Sequence, residues 1–170
     1  MGLGVYIDSR IFGASSATIS GCTVKDNRIA GVWVEGTGGT VTVTGTTLAR
    51  HTVETIGGWE VHGNGVFANG VCSGLVLTGN RYSGNAGAHV FLSGSNATLS
   101  GSTYITNGVL DFIQERCTQT CVTPLTEADL TADGLSSKSH VISLCPSGNT
   151  LTLSGQPEFA FGLVEATIQE

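Results

Sequence analysis

Short apolar segments with alternating polar positions recur along the chain in one register. The register is apolar, x, apolar, x, Gly, x, x, apolar, x, x, Asn, followed by a short turn, a glycine and an apolar residue. Four copies of its first part are Ile19-Ser20-Gly21, Val43-Thr44-Gly45, Leu77-Thr78-Gly79 and Leu99-Ser100-Gly101. Alternation with a period of two predicts short strands with one buried face. Glycine and asparagine tolerate the left-handed backbone of tight corners, so each copy predicts strands joined by turns.

The asparagine position of the repeat predicts hydrogen bonds between coils. Asn27, Asn85 and Asn107 occupy this position, and His51 replaces asparagine in one copy. Stacked coils repeat every ~4.8 Å, which allows corner amides to bond from one coil to the next as an internal ladder. We interpret His51 as a residue that makes a corner hydrogen bond.

The recurring register resembles the parallel β-helix repeat family, which is the fold of pectate lyases, polygalacturonases, alginate epimerases and phage tailspikes. The resemblance covers about residues 4–113 and again 150–165. It implies an all-β, right-handed parallel β-helix with coils of roughly twenty-odd residues. Because this fold carries many functions, the resemblance is specific for architecture and unspecific for chemistry.

The repeat also predicts how the chain is divided. Residues 1–113 form the coils, with an insertion from Thr52 to Gly63. Residues 114–149 break the repeat as an irregular, cysteine-containing loop with a short helix around Thr126 to Asp133, which we expect Thr126 to cap. This segment is a candidate plug for the open end of the solenoid. Residues 150–170 are expected to form terminal strands on the solenoid, where Leu151 restarts the pattern.

The strand after each corner has outward positions that form two columns. The first column is expected to contain Tyr6, Trp33, Phe67 and His89, which makes it largely aromatic. Aromatic rings stack on the apolar faces of sugar rings, so these four residues are candidate polysaccharide-binding residues.

The second outward column contains Asp8 and Glu35. Direct stacking places their carboxylates about 5 Å apart, a separation that suits the catalytic pair of a retaining glycosidase. Asp8 and Glu35 are therefore the candidate catalytic residues. The alternative interpretation is that both carboxylates are simply solvated.

The family resemblance implies specific enzyme signatures that are incomplete in this chain. Its lyases combine acidic calcium ligands with an arginine or lysine base, and no basic residue falls on the strands that carry Asp8 and Glu35. The paired aspartates of polygalacturonases and the Asp-Pro-His motif of the epimerases are also absent. A second place for chemistry is the insertion, which gathers Glu54, Trp59, Glu60 and His62.

Another outward face is rich in threonine and serine. Its members are Thr18, Ser20, Thr42, Thr44, Val76, Thr78, Thr98, Ser100, Thr152 and Ser154. The array resembles the ice-binding face of some β-solenoid antifreeze proteins. Threonine is also a common exposed strand residue, which is the simpler explanation.

Composition and charge narrow the range of partners. The net charge of −6 argues against nucleic acid and anionic membranes, and no apolar run is long enough to span a bilayer. Cys22 and Cys72 are expected as buried core thiols, whereas a disulfide among Cys117, Cys121 and Cys145 is plausible in a secreted protein. No ligand set for zinc is complete, so neither a metal nor a cofactor is predicted.

Three functions remain open from the sequence. We favour a non-catalytic extracellular or cell-surface scaffold that contacts polysaccharide, because no complete catalytic set is visible. The alternatives are a polysaccharide-processing enzyme of the hydrolase or lyase type and an ice-binding or adhesive solenoid. Free strands at the ends of a solenoid also favour end-to-end or edge association.

Overall fold

The described residues form three stacked sheets, one hairpin and two short helices in a computed structural model. The structure describes residues 2–12, 16–36, 38–56, 59–61, 63–105, 111–115, 122–123, 125–135, 140–144 and 152–155. The chain passes through the three sheets in turn, so that each complete coil contributes one strand to each sheet. The fold is therefore the parallel β-helix that the repeat predicts.

Each sheet is built from strands of successive coils. Sheet A has the order β1 (Leu3–Asp8), β4 (Ala30–Glu35), β9 (Asn64–Asn69), β12 (Val90–Ser93), β15 (Phe112–Glu115), β16 (His140–Leu144) and β17 (Thr152–Gly155). Sheet B has the order β2 (Ala17–Ser20), β5 (Val41–Thr44), β10 (Leu75–Thr78) and β13 (Thr98–Ser100). Sheet C has the order β3 (Thr23–Lys25), β6 (Thr47–Ala49), β11 (Arg81–Ser83) and β14 (Thr103–Ile105). Outside these sheets lie the hairpin strands β7 (Glu54–Ile56) and β8 (Trp59–Val61) and the helices α1 (Ser9–Phe12) and α2 (Glu127–Ala132).

The alternating apolar residues fill the interior of the solenoid. Val32, Val66 and Val90 lie next to one another in sheet A and are fully buried. Leu77 of sheet B and Leu48 of sheet C approach them from the other sides of the same core. Stacking in register thus converts a repeat that is short in sequence into one continuous apolar core.

Glycine is required at the corner between sheets B and C by backbone conformation. Gly21, Gly45, Gly79 and Gly101 have φ values of 61°, 56°, 61° and 64°. A side chain at Gly79 would meet no atom beyond its chain neighbours within 4 Å. The left-handed φ value, rather than lack of space, therefore explains the glycine of the repeat.

The same corner contains a ladder of hydrogen bonds that run from each coil to the next one. The backbone N–H of Thr46 donates to Asn80 Oδ1 at 3.0 Å, and the backbone N–H of Asn80 donates to Ser102 Oγ at 3.4 Å. The backbone N–H of Ser102 then donates to Asp133 Oδ1 at 2.9 Å, beyond the end of α2. These bonds satisfy backbone donors that the turn would otherwise leave buried without a partner.

Helix α2 closes the C-terminal end of sheets B and C. Thr126 caps the helix in a reciprocal arrangement with Asp129, which confirms the predicted helix and its cap. Leu130 and Leu135 are buried in the solenoid core, and Asp133 supplies the acceptor that a further coil would supply. The helix covers apolar side chains of the last coil that would otherwise face solvent.

The C-terminal strands depart from the simple repeat. Strand β16 pairs in parallel with β15 and continues sheet A inside the segment expected to be irregular. Strand β17 pairs with β16 in the antiparallel direction. A reversal of direction is incompatible with another coil, so Thr152–Gly155 does not continue the repeat as expected, and Leu151 itself lies outside the described residues. Thr152 and Ser154 consequently lie on sheet A and do not extend the threonine-rich array of sheet B.

We predict that Leu130→Ala lowers the free energy of unfolding by about 2–5 kcal/mol, because it removes a fully buried side chain and leaves a cavity under the cap. Thr131→Ala changes an exposed residue of the same helix and is expected to change stability by less than about 0.5 kcal/mol. Urea denaturation followed by circular dichroism measures both. Equal stability of the two variants would contradict the capping role of α2.

Candidate functional site

A column of aromatic side chains crosses the outer face of sheet A from coil to coil. Tyr6, Trp33, Phe67 and Phe91 occupy equivalent positions on neighbouring strands. The ring centroids of Trp33 and Phe67 are 4.5 Å apart, and those of Phe67 and Phe91 are 5.3 Å apart in an edge-to-face contact. Tyr6 is 49 % exposed, while the other three rings are half-buried. We call these four residues the aromatic column.

The structure brings together three of the four predicted binding residues and excludes the fourth. His89 is fully buried, contrary to its expected outward orientation, and Phe91 takes its place in the aromatic column. The distance from the corner asparagine explains the difference. Val32 lies five residues after Asn27, and Val90 lies five residues after Asn85, so Val90 is the equivalent of Val32 and the next residue enters the column. Counting from the asparagine instead of the turn glycine identifies the correct register.

Asp8 and Glu35 pair in register beside the aromatic column and share one arginine. Arg10 donates from Nε to Asp8 Oδ1 at 3.0 Å and from Nη2 to Asp8 Oδ2 at 2.8 Å. Its Nη1 forms an ion pair with Glu35 Oε2. Arg10 lies on α1, two residues beyond the strand that carries Asp8. Strand periodicity does not reveal Arg10, because the residue lies outside the strands, although it follows Asp8 closely in the chain.

Two aromatic residues bind the same carboxylates. The Tyr6 hydroxyl donates to Asp8 Oδ2 at 3.0 Å, and Trp33 donates from Nε1 to Glu35 Oε1 at 2.9 Å. Each ring is therefore oriented by the carboxylate two residues further along its own strand. The Arg10 side chain stays about half exposed, at 53 %.

The hydrogen bonds within this cluster keep both Asp8 and Arg10 charged at neutral pH. Hydrogen bonds from the Arg10 guanidinium hold the pKa of Asp8 well below its usual range. The pKa of Arg10 is raised in turn, chiefly by its hydrogen bonds to Asp8. A carboxyl group in this setting is ionised at neutral pH and does not store the proton that a general acid needs.

The column that contains Asp8 and Glu35 continues on the later strands with two neutral residues and one acid. Asn69, Ser93 and Glu115 follow Asp8 and Glu35 in register. Ser93 Oγ donates to Glu115 Oε2 at 3.4 Å, while burial raises the pKa of Glu115. Hydrogen-bonding groups thus accompany the aromatic column over its four coils and continue to a fifth at Glu115.

The insertion forms an antiparallel hairpin that leaves the solenoid register intact. β7 pairs with β8, and Arg28 Nη1 lies 3.6 Å from Glu54 Oε1. A side chain at Gly63 would come within 2.6 Å of the backbone of His51 and Thr52, so the chain returns close to the point where it departs. His62 and the side chains of Trp59 and Glu60 lie outside the described residues.

The cysteines differ from the expected arrangement. Cys22 is an exposed free thiol, and Cys72 is half-buried and disulfide-bonded. The expectation that both are buried core thiols is therefore wrong, because one lies at an open corner and the other is oxidised. The disulfide expected among Cys117, Cys121 and Cys145 lies outside the described residues.

The threonine-rich face lies on sheet B, whereas the aromatic column and the two acids lie on sheet A. Thr18, Thr42, Val76 and Thr98 form one straight column. Ser20, Thr44, Thr78 and Ser100 form a second column, in which Ser100 Oγ donates to Thr78 Oγ1 at 3.2 Å. Seven of these eight outward positions carry a hydroxyl group, so the predicted array is present in four coils.

Among the described residues, no group of three or more His, Cys, Asp or Glu side chains is arranged to hold a metal ion. Within the same ranges, no helix has the length and apolar character needed to cross a membrane.

Comparison with known proteins identifies no match to a protein-family model, to a curated protein or to a solved structure.

We predict that Arg10→Gln raises the pKa of Asp8 towards about 3.9, the value of an unperturbed aspartate, because its guanidinium partner is lost. Carbon-detected NMR titration of the carboxyl groups measures the change. Arg50→Gln is the matched control, since Arg50 pairs with Asp26 at another corner and is expected to leave Asp8 unchanged. An Asp8 pKa that stays low in Arg10→Gln would contradict this assignment.

Proposed function

We propose that the protein is a non-catalytic, extracellular or cell-surface β-helix module that binds a polysaccharide chain along the outer face of sheet A. The aromatic column is the observation that carries this proposal. Its rings lie on four consecutive coils and remain partly exposed. Aromatic surfaces of this kind suit the apolar faces of successive sugar rings.

The polar groups beside the rings support the same ligand. Asn69 and Ser93 present acceptors and donors along the column, and the Arg10 guanidinium adds an exposed donor above the largely covered carboxylates of Asp8 and Glu35. Sugar hydroxyls need such groups because a ring that stacks also loses water from its edges. Trp33 supplies both a stacking surface and a link to Glu35.

Binding without catalysis is favoured by the state of the two carboxylates. Asp8 and Glu35 share Arg10 and accept hydrogen bonds from Tyr6 and Trp33. An aspartate with a lowered pKa cannot be the proton donor of a glycosidase pair, and Arg10 and Tyr6 occupy the oxygens with which Asp8 would act as the nucleophile. The disulfide of Cys72 supports an oxidising, extracellular location.

The pectate-lyase-like relationship remains part of this proposal. Parallel sheets stacked in register support it at the level of architecture. Arg10 supplies a basic group near the acids, but its hydrogen bonds with Asp8 raise its pKa and make it a poor proton acceptor. A binding module on this architecture therefore fits better than a lyase.

We predict that Trp33→Ala and Phe67→Ala each weaken binding of the best glycan by about tenfold or more, because each removes a central stacking surface. A glycan array selects the ligand, and calorimetry measures its affinity. Thr42→Ala on sheet B is the control and is expected to bind as the wild type does.

Two outcomes of this experiment contradict the proposal. Absence of binding to any glycan, or equal affinity of wild type and Trp33→Ala, excludes the aromatic column as the site. Release of reducing ends or unsaturated sugars from a bound glycan, with loss of that activity in Glu35→Gln, establishes the enzyme alternative instead.

The straight hydroxyl columns of sheet B favour a second candidate, an ice-binding or adhesive face. Threonine presents a methyl and a hydroxyl group at each position, and the parallel register repeats them at one strand spacing, ~4.8 Å. Val76 and the serines make this array less regular than a purely threonine surface.

We predict that, if sheet B binds ice, Thr42→Lys abolishes thermal hysteresis because a long charged side chain interrupts the flat array. Thr103→Lys changes an exposed threonine on sheet C and is expected to retain the activity. Absence of thermal hysteresis in the wild type rejects this second candidate and leaves the first untouched.

A further inference from the structure

The corner between sheets C and A contains a second ladder, in which two imidazoles alternate with amides. The backbone N–H of Asn27 donates to His51 Nδ1 at 3.2 Å, and the backbone N–H of His51 donates to Asn85 Oδ1 at 3.2 Å. Asn85 Nδ2 lies 2.8 Å from His89 Nδ1. His51, Asn85 and His89 are all fully buried.

The donors in this ladder determine the tautomer of each imidazole. A backbone N–H can only donate, so His51 Nδ1 must be an unprotonated acceptor. Asn85 Oδ1 accepts from His51, which assigns Nδ2 as the donor towards His89 Nδ1 and towards Leu48 O at 3.2 Å. His89 then carries its proton on Nε2, which lies 2.9 Å from Ile105 O.

Neither ring has an alternative arrangement that accepts a second proton. Rotation of the Asn85 amide would place its NH2 group against the backbone N–H of His51. The His51 ring packs closely against Gly31, and a half turn would replace Nδ1 by a carbon atom and lose the acceptor for Asn27. Protonation of either Nδ1 therefore brings two donors together inside the solenoid.

We propose that this corner, which we call the imidazole ladder, is an acid-sensitive joint that opens between coils when His51 and His89 become protonated. The joint lies at the point where the inserted hairpin leaves the solenoid, since the insertion begins directly after His51. Opening it breaks the bonds between the second coil and both of its neighbours. The ladder between sheets B and C contains no imidazole and stays closed.

The surroundings of the ladder determine how much charge it can tolerate. The charge of Asp26 acts to raise the pKa of His51, but this carboxylate is held in a two-bond ion pair by Arg50. His89 faces Tyr82, Tyr104 and Asp111, whose Oδ1 lies 3.4 Å from Nε2, and Asp133 lies beyond Tyr104. These groups approach His89 from the Nε2 side and its ring faces, whereas the conflict arises at Nδ1.

Burial supports the same direction in both histidines. It lowers the pKa of His51 to about 4 and also lowers that of His89. The unfolded chain binds protons near pH 6.5, so stability is complete above that pH and is lost as the pH falls towards 4. For His51 alone, linkage predicts that the unfolding constant rises on the order of 100-fold between pH 7.5 and pH 4.

His51→Asn is the test variant, because asparagine restores the residue of the repeat, accepts from Asn27 and does not titrate. We expect its unfolding constant to rise on the order of 100-fold less than that of the wild type between pH 7.5 and pH 4. Urea denaturation across this range measures both. Lys25→Gln, an exposed change of charge on the first coil, is the control and should follow the wild-type profile.

Measurements on the wild type keep the proposal testable if His51→Asn does not fold. Nitrogen NMR should show Nδ1 of both histidines as unprotonated acceptors at pH 7.5. On acidification to pH 4, amide-exchange protection of Asn27 and His51 should fall more than that of Thr46 and Asn80, which belong to the other ladder. Parallel pH profiles of wild type and His51→Asn, a His51 pKa near 6.5 in the folded protein, or equal loss of protection in both ladders would overturn the proposal.

Discussion

The described corners between sheets B and C and between sheets C and A depend on hydrogen bonds that their own coils do not supply. A tight turn leaves a backbone N–H pointing along the solenoid axis, and burial makes an unpaired donor expensive. The next coil provides a side-chain oxygen or nitrogen at that place, as Asn80 does for Thr46 and His51 does for Asn27. Coil length, strand register and the identity of corner residues all follow from this requirement, because a coil of the wrong length would misplace its acceptor.

The outer face of sheet A depends on that register. Valines of successive coils stack inside, so the residues between them stack outside, and this places Trp33 beside Phe67 and Phe67 beside Phe91. The same register sets Asp8 against Glu35, where one arginine neutralises part of their charge. A surface suited to a long ligand thus arises from a constraint that operates in the interior.

Much of this architecture could be predicted from periodicity, and the exceptions have physical causes. Alternation and corner glycines predict the three strands of each coil, and Thr126 with the acidic residue three positions later predicts α2. The buried orientation of His89 could not be predicted from alternation. His89 lies at a corner, where its hydrogen bond with Asn85, and not the strand period, determines the direction of the side chain. The contacts of Arg10 could not be predicted for a related reason, since a residue on a short helix does not follow the strand period. The antiparallel pairing of β17 depends on tertiary contacts that the repeat pattern does not encode.

In the two ladders, the bonds that backbone N–H groups donate to corner side chains all point the same way. Each of them runs from a donor in one coil to an acceptor in the following segment of chain. The coil beneath α2 therefore needs a carboxylate, amide or hydroxyl placed over it, which Asp133 provides. The two ends of such a stack are unlike, because one end presents backbone donors and the other presents side-chain acceptors. Lengthening such a protein is accordingly simplest by adding coils in the middle, where neither terminus is altered.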